Sequence, residues 1–341
     1  MTDTWNILGN DWAVDMLRHQ VAQGATRHAY LFTGPPGIGR RTLALRFAQA
    51  LNCTEPPEPG QPCGRCRNCR QIGELHHPDL LIIRRDPNAK LPWMDPLREG
   101  LHQIALQPYQ SRFKVALFPD FHEATDNALN ALLKTLEEAP SYAILILTAD
   151  NPEQLLPTIV SRCEVLRLRP LPVEVVEAFL ARRIAQAREE GKEPPPGAEA
   201  GAALIARISG GRPGYAIRLL EDPSALAFRL ERLADLQALL GGTRSYRFAY
   251  AEKLAADKDG LRNSLLLWLS FWRDVLLRAG GAEAPPSNLD HSSQIEALAK
   301  RLSLPEARRV VAGLEQALQQ LDANVNPRLL AEVALLDWPV Q

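Results

Sequence analysis

Two hydrophobic patterns divide the chain. Four short apolar runs lie in its first half: Ala29-Tyr30-Leu31-Phe32-Thr33, Leu80-Leu81-Ile82-Ile83, Phe113-Lys114-Val115-Ala116-Leu117-Phe118 and Ala143-Ile144-Leu145-Ile146-Leu147-Thr148. Runs this short, without regular polar alternation, predict strands buried on both faces. The helical stretches between them, 42–51 and 126–138, predict a parallel sheet covered by helices. Beyond Pro170 the strand signal fades. Residues 172–190 read as a helix with Val176, Leu180 and Ile184 on one face, and 191–201, containing Pro194-Pro195-Pro196, read as an exposed loop. A short helix to Ser209, a break at Gly210-Gly211-Arg212-Pro213-Gly214 and a helix over 215–220 follow. From about residue 222 to 339 the pattern is helical almost throughout. Trp268, Phe271, Trp272 and Val275 there have the spacing of a buried face, which core packing explains. No internal repeat is present. The expected fold class is α/β followed by all-α.

Composition narrows the setting. The 341 residues suffice for two or three domains with real cores, and 46% hydrophobic with 23% charged residues is ordinary for a globular chain. A formal net charge of -1 argues against a strongly basic nucleic-acid binder, although a local basic patch stays open. No run approaches the roughly 20 apolar residues of a membrane helix, and residues 1–10 carry no secretory pattern. The expectation is a cytoplasmic chain without membrane contact, in which the five cysteines are not disulfide staples.

Residues 34–42, Gly34-Pro35-Pro36-Gly37-Ile38-Gly39-Arg40-Arg41-Thr42, sit between a strand and a helix, where a Walker A phosphate loop, GxxxxGK[ST], belongs. That motif needs glycines for close backbone approach, a Lys for the β/γ oxygens and a Ser/Thr hydroxyl for Mg²⁺. Gly34, Gly37 and Gly39 are in place, but the last two positions hold Arg40 and Arg41. Thr42 comes one residue late, which on a helix rotates its hydroxyl by about 100° and shifts it about 1.5 Å. Arg can pair with phosphate but cannot ligate a cation. The strand ending at Phe118 gives a second test. A Walker B strand ends in an acidic metal contact followed by a Glu, whereas this one ends in Pro119-Asp120. Defects at two separate elements predict a degenerate nucleotide site without productive ATP/Mg²⁺ binding. A plain Gly/Pro turn is the alternative for the loop alone.

Cys53, Cys63, Cys66 and Cys69 have the spacing C-x9-C-x2-C-x2-C. Four thiolates suit the tetrahedral preference of Zn²⁺, and the intervening segment has no apolar core of its own, so a metal can supply its order. The expectation is a structural Zn²⁺ in a module at about 53–75, with four unrelated thiols as the alternative. His76 and His77 are poorer candidates because four sulfurs already close the site. Cys163 stands apart and reads as a small packing residue.

Taken together, these pieces resemble the clamp-loader family of AAA+ proteins, as found in bacterial DNA polymerase III. The resemblance covers most of 29–222. It rests on the loop at 34–42, the four-cysteine insertion, the string Asn127-Ala128-Leu129-Asn130-Ala131-Leu132-Leu133-Lys134-Thr135-Leu136-Glu137-Glu138-Ala139-Pro140, and Ser161-Arg162-Cys163, the family's SRC motif. The departures at Arg40-Arg41, at Pro119-Asp120 and at Pro213, about where a γ/τ subunit has a sensor Arg, look like the δ′ type. The segment 324–328, Asn324-Val325-Asn326-Pro327-Arg328, resembles the end of such chains.

The resemblance implies an AAA+ RecA-like parallel-sheet domain over 1–170, a helical lid over 171–221 and a helical oligomerisation collar over 222–341. It implies a non-hydrolysing subunit within a polymerase holoenzyme, assembled with γ/τ and δ subunits in a hetero-pentamer. That assembly uses ATP to load the β sliding clamp on primed DNA, and Arg162 would be a finger reaching the ATP of a neighbouring subunit. An Arg is suited to that task because it is permanently charged and planar. Leu129, Leu132, Leu133 and Leu136 would anchor their helix to the sheet, with Lys134, Glu137 and Glu138 facing solvent or a neighbour. Two other readings stay open: a catalytic γ/τ-like ATPase in which Arg40 and Thr42 substitute for the usual pair, and a zinc-stabilised adaptor without a catalytic part.

Overall fold

The computed structural model describes residues 4–339 except 87, 284, 323, 324 and the side chain of residue 322, so Asn324 of the C-terminal segment lies outside the described residues. It divides into two compact units: residues 1–171 with 212–215, and residues 172–211 with 216–341.

The first unit is built on five parallel strands, β1 (Ala29–Thr33), β2 (Leu80–Ile82), β3 (Lys114–Phe118), β4 (Ala143–Ala149) and β5 (Glu164–Arg167), in the order β2-β3-β4-β1-β5. Its helices are α1 (Asp11–Gln23), α2 (Arg40–Asn52), α3 (Arg67–Gly73), α4 (Met94–Ala105), α5 (Asp126–Glu137) and the single turn α6 (Pro157–Val160). The four apolar runs become β1 to β4 for the expected reason. Successive side chains point to opposite faces, and both faces are covered. Tyr30, Phe32, Val115, Leu117, Ile144 and Ile146 meet α1, α2 and Ile72 of α3 on one side. Leu31, Ala116, Phe118, Leu145 and Leu147 meet α4, α5 and Ile159 of α6 on the other. Leu129, Leu132 and Leu136 anchor α5 as read from the sequence, while Leu133 is only partly buried. Cys163 is likewise half-buried against this second layer, where burial pushes its thiol up to about 12.

All strands being parallel, their C-terminal ends emerge on one edge of the sheet. The loop after β1, Pro119-Asp120 after β3 and Asp150 after β4 therefore converge, because β4 lies between β1 and β3. This convergence creates the candidate site.

The second unit holds α7 (Val173–Glu189), α8 (Ala202–Ser209), most of α9 (Pro213–Glu221), α10 (Pro223–Gly241), α11 (Arg244–Ala255), α12 (Lys258–Ala279), α13 (Ser292–Arg301), α14 (Leu304–Asp322) and α15 (Pro327–Leu336). Trp268, Phe271, Trp272 and Val275 of α12 are fully buried in a core shared with α10, α11, α13, α14 and α15. The segment 191–201 is not the wholly exposed loop its prolines suggest. Residues 196–199 form a 3₁₀ turn with Gly197 buried so closely that a Cβ there would meet the Leu219 carbonyl oxygen at 2.6 Å. No helix among the described residues is long and apolar enough to cross a membrane.

Candidate functional site

The glycine-rich loop after β1 spends its contacts on neighbouring backbone of its own unit. Gly34 lies at φ +142°, and a Cβ there would meet the Leu168 carbonyl oxygen at 2.6 Å. Gly37 lies at φ +81°, where a Cβ would come within 2.8 Å of Tyr215 Cβ. These glycines are thus required by neighbouring backbone of the same unit, whether or not a phosphate binds. The Gly37 carbonyl accepts hydrogen bonds from the Gly214 N–H (2.8 Å) and the Tyr215 N–H (3.3 Å), satisfying donors that the first turn of α9 would otherwise leave open. Pro213, where a sensor Arg is expected, opens that helix and supplies no cation.

Arg40 opens α2 behind Gly39, and its side chain is 8% exposed. Its Nη1 donates to Asp150 Oδ1 at 2.7 Å and its Nη2 to Asp120 Oδ1 at 2.9 Å. Asp120, half exposed, sits in the left-handed region at φ 47°, its N–H held by Thr148 Oγ1 at 2.8 Å. Asp150 is 12% exposed, and His122 Nε2 stands 3.9 Å from its Oδ2. The one cation of the loop that is drawn inward is therefore shared by two carboxylates, and the trio carries a net negative charge. An incoming phosphate would have to displace one carboxylate while being repelled by both. Arg41 and Thr42 are exposed. Asp120, His122 and Asp150 have ligand atoms within 4.8 Å of one another, yet Arg40 already bonds an oxygen of each carboxylate.

The four predicted cysteines come together, with sulfurs within 4.8 Å of one another and Cys63 Sγ 3.9 Å from Cys69 Sγ. Tetrahedral bonding at about 2.3 Å per Zn–S bond places sulfurs about 3.8 Å apart, so the donor set fits a closed four-sulfur site. Backbone N–H groups already address the sulfurs: Cys63 N to Cys53 Sγ (3.3 Å), Cys66 N to Cys63 Sγ (3.2 Å) and Cys69 N to Cys66 Sγ (3.4 Å). Burial opposes ionisation of Cys66, but the bonds from Cys69 N and Thr54 outweigh it and bring the thiol down to about 6. Burial is also the main cause that raises Cys53 and Cys69. Neither nearby histidine joins the cluster. His76 is exposed, while His77 is buried, with Nδ1 accepting from Asp79 N (3.1 Å) and Nε2 against Gln110 and Ser111.

Arg162 lies apart from both clusters, just after α6. Its Nη1 donates to the Thr158 carbonyl at 2.9 Å, and its Nη2 pairs with Glu137, the last residue of α5.

Comparison with known proteins decides the family. The family described as "DNA polymerase III, delta subunit" matches residues 9–172, and the one described as "DNA polymerase III, delta subunit, C terminal" matches residues 224–339. The chain belongs to the DNA polymerase III delta-subunit family. Its sheet order, with the loop behind β1, and its helical remainder fit the AAA+ class with a C-terminal delta domain. Relatives include the tau subunit of Escherichia coli (strain K12), 35% identical over 171 residues, which is 50% of this chain and 26% of that one. The tau subunit of Bacillus subtilis (strain 168) is 25% identical over 97% of this chain and 60% of the relative. The chain therefore spans from about a quarter to three fifths of these curated relatives' lengths. Among solved structures, a gamma subunit-related protein of Thermotoga maritima aligns with TM-score 0.45 and 19% identity, covering 95% of this chain and 97% of that one.

Asp150 and His122, which the sequence did not single out, and Glu137, read there only as facing solvent or a neighbour, shape these clusters. Asp150 and His122 complete the Arg40 cluster, and Glu137 holds Arg162. Asp150 left one usable signal: an acidic residue directly following a strand of a parallel sheet, at the same edge as a glycine loop.

Proposed function

We propose that the chain serves as the δ′-type, non-hydrolysing subunit of the clamp loader. In this role it stands beside γ/τ and δ subunits in a hetero-pentamer that loads the β clamp on primed DNA. The observation that carries this reading is Arg40 bonded to both Asp120 and Asp150. The residue in the Lys position is neutralised from within, and neither Arg41 nor Pro119 can ligate the metal that phosphoryl transfer needs. Residues 171–221 then act as a lid and 222–341 as the collar. The four cysteines hold a structural Zn²⁺, which when bound cross-links 53–69 without offering an open coordination position.

The chain's own contribution to hydrolysis is Arg162, offered to the ATP of a neighbour. It is surface-accessible, 35% exposed, and held at the end of a short turn anchored by buried Ile159. A trans Arg contributes about 10³-fold or more to such a site.

The test measures ATPase of the purified chain, and of the chain mixed with γ/τ, δ, clamp and primed DNA. The expected result is no hydrolysis alone and, with Arg162→Ala, loss of hydrolysis at the one neighbouring site, read as a drop in single-turnover amplitude. Mg²⁺-dependent hydrolysis by the isolated chain that disappears on changing Arg40 would establish the γ/τ-like reading instead. Full stimulated ATPase with Arg162→Ala would leave only the adaptor role.

A further inference from the structure

Arg162 is not a free side chain waiting for a phosphate. Its guanidinium has two engagements of different kinds. The bond from Nη1 to the Thr158 carbonyl, 2.9 Å, is local to the turn and moves with it. The bond from Nη2 to Glu137 crosses to another element, the C-terminal end of α5, and carries the opposite charge. Ser161 Oγ donates to the same Thr158 carbonyl at 3.1 Å, so the backbone under the Arg is fixed from both sides. Leu132 and Leu136 of α5 and Ile159 of α6 lie in one buried cluster, so the Glu137 carboxylate and the Arg162 base belong to one rigid frame. Among the described residues, Glu137 is the carboxylate that pairs with Arg162.

We infer that Glu137 is a positioning residue that restrains Arg162 and competes with the neighbour's ATP for it. This rests on the reading of Arg162 as a trans finger. The γ-phosphate and the Glu137 carboxylate would address the same edge of one guanidinium. A carboxylate that stayed bonded while Arg162 met the triphosphate would add a like charge beside it. Engagement of the nucleotide therefore exchanges one anion for another. The exchange is easily reversed, because the pair is open to water at 35% and 51% exposure and exposed ion pairs are weak. Glu137 acts as a light restraint that lowers unproductive engagement of the finger until a triphosphate is in place.

Glu137→Gln keeps the size of the side chain and an acceptor oxygen while removing the charge. In the complete assembly with clamp and primed DNA, it should raise kcat/KM for ATP by about two- to fivefold, the range an exposed pair supports. In an Arg162→Ala background the same change should have no effect, since the coupling runs through the Arg. Equal thermal unfolding of wild type and E137Q would exclude a packing effect. An unchanged or lowered kcat/KM for E137Q, with R162A still defective, would overturn the restraint and leave the finger standing. Normal activity of R162A would instead overturn the finger itself.

Discussion

Arg40 links two acidic side chains, Asp120 and Asp150, that follow β3 and β4. Removing its charge takes a 2.7 Å ion pair from Asp150, which is 12% exposed, where losing a charge-assisted bond is costly. Arg40→Met is therefore expected to destabilise the chain by about 3 kcal/mol, the low end for breaking a buried pair, seen as a lower urea midpoint at unchanged slope. Arg40→Lys should recover only part of that loss, because a single ammonium cannot reproduce two separate guanidinium donors. On the proposed non-hydrolysing role it should also yield no ATPase, since Arg41 and Pro119 still offer no metal-ligating group. Hydrolysis restored by R40K would contradict this account of the loop. The departures at Arg40-Arg41 and Pro119 were legible in the sequence, because which residue types stand there is a local fact. How Arg40 is held was not legible. Asp120 and Asp150 lie 80 and 110 positions from Arg40, and only the strand order brings them to one edge. The thiol cluster was readable for the converse reason, since its spacing places all four sulfurs on one short stretch of chain.

At the scale of elements, strands buried on both faces were readable because apolar content alone marks them. β1 and the starts of β2 and β4 fall where the runs begin. β5 was missed. It is four residues long, begins with Glu164 and ends with Arg167, and pairs only with β1, so an edge position lets it carry charges that hide it. The helical remainder was readable as helical but not in its connections, and Arg247 of α11 shows why. Its side chain is 1% exposed, with Nε on the Leu239 carbonyl (2.9 Å), Nη1 on those of Leu335 (3.2 Å) and Trp338 (2.7 Å), and Nη2 on that of Pro339 (2.9 Å). It thus satisfies the Leu335 carbonyl in the last turn of α15 and two carbonyls just beyond it, where a cation also meets the negative end of the helix dipole. Nothing in the local sequence distinguishes it from a surface Arg. Arg247→Met should cost about 3 kcal/mol by leaving several buried acceptors unpaired. Chemical denaturation and faster amide exchange in residues 327–336 would show it, and wild-type stability in this variant would refute the capping role.

For the molecule as a whole, the two units have separate cores, one around the sheet and one among α10 to α15. The cysteine cluster belongs entirely to the first. Gln49 Nε2 donates to the Cys69 carbonyl at 2.6 Å and Asn68 Nδ2 to that of Asn52 at 2.9 Å. Asn52 in turn exchanges two 2.9 Å bonds with the backbone of Phe113, at the entrance to β3. A metal on the four sulfurs would thus be tied through α2 to the start of β3, and its loss should be felt in the sheet and not in the helical unit. Closing a loop of this length by a cross-link is worth about 3 kcal/mol, which for a domain of this size corresponds to a fall of about 6–12 °C in its transition. Stripping the metal with a chelator under reducing conditions should release about one zinc per chain. It should also lower one calorimetric transition and speed amide exchange in residues 29–33, 114–118 and 143–149. Exchange in α12 and α14 should not change, because Trp268, Trp272 and Leu314 are buried in a core to which the cysteine module contributes no residue. Equal loss of protection in both units would mean that they unfold as one. Release of no zinc, with no change in either unit, would mean that the four thiols hold nothing.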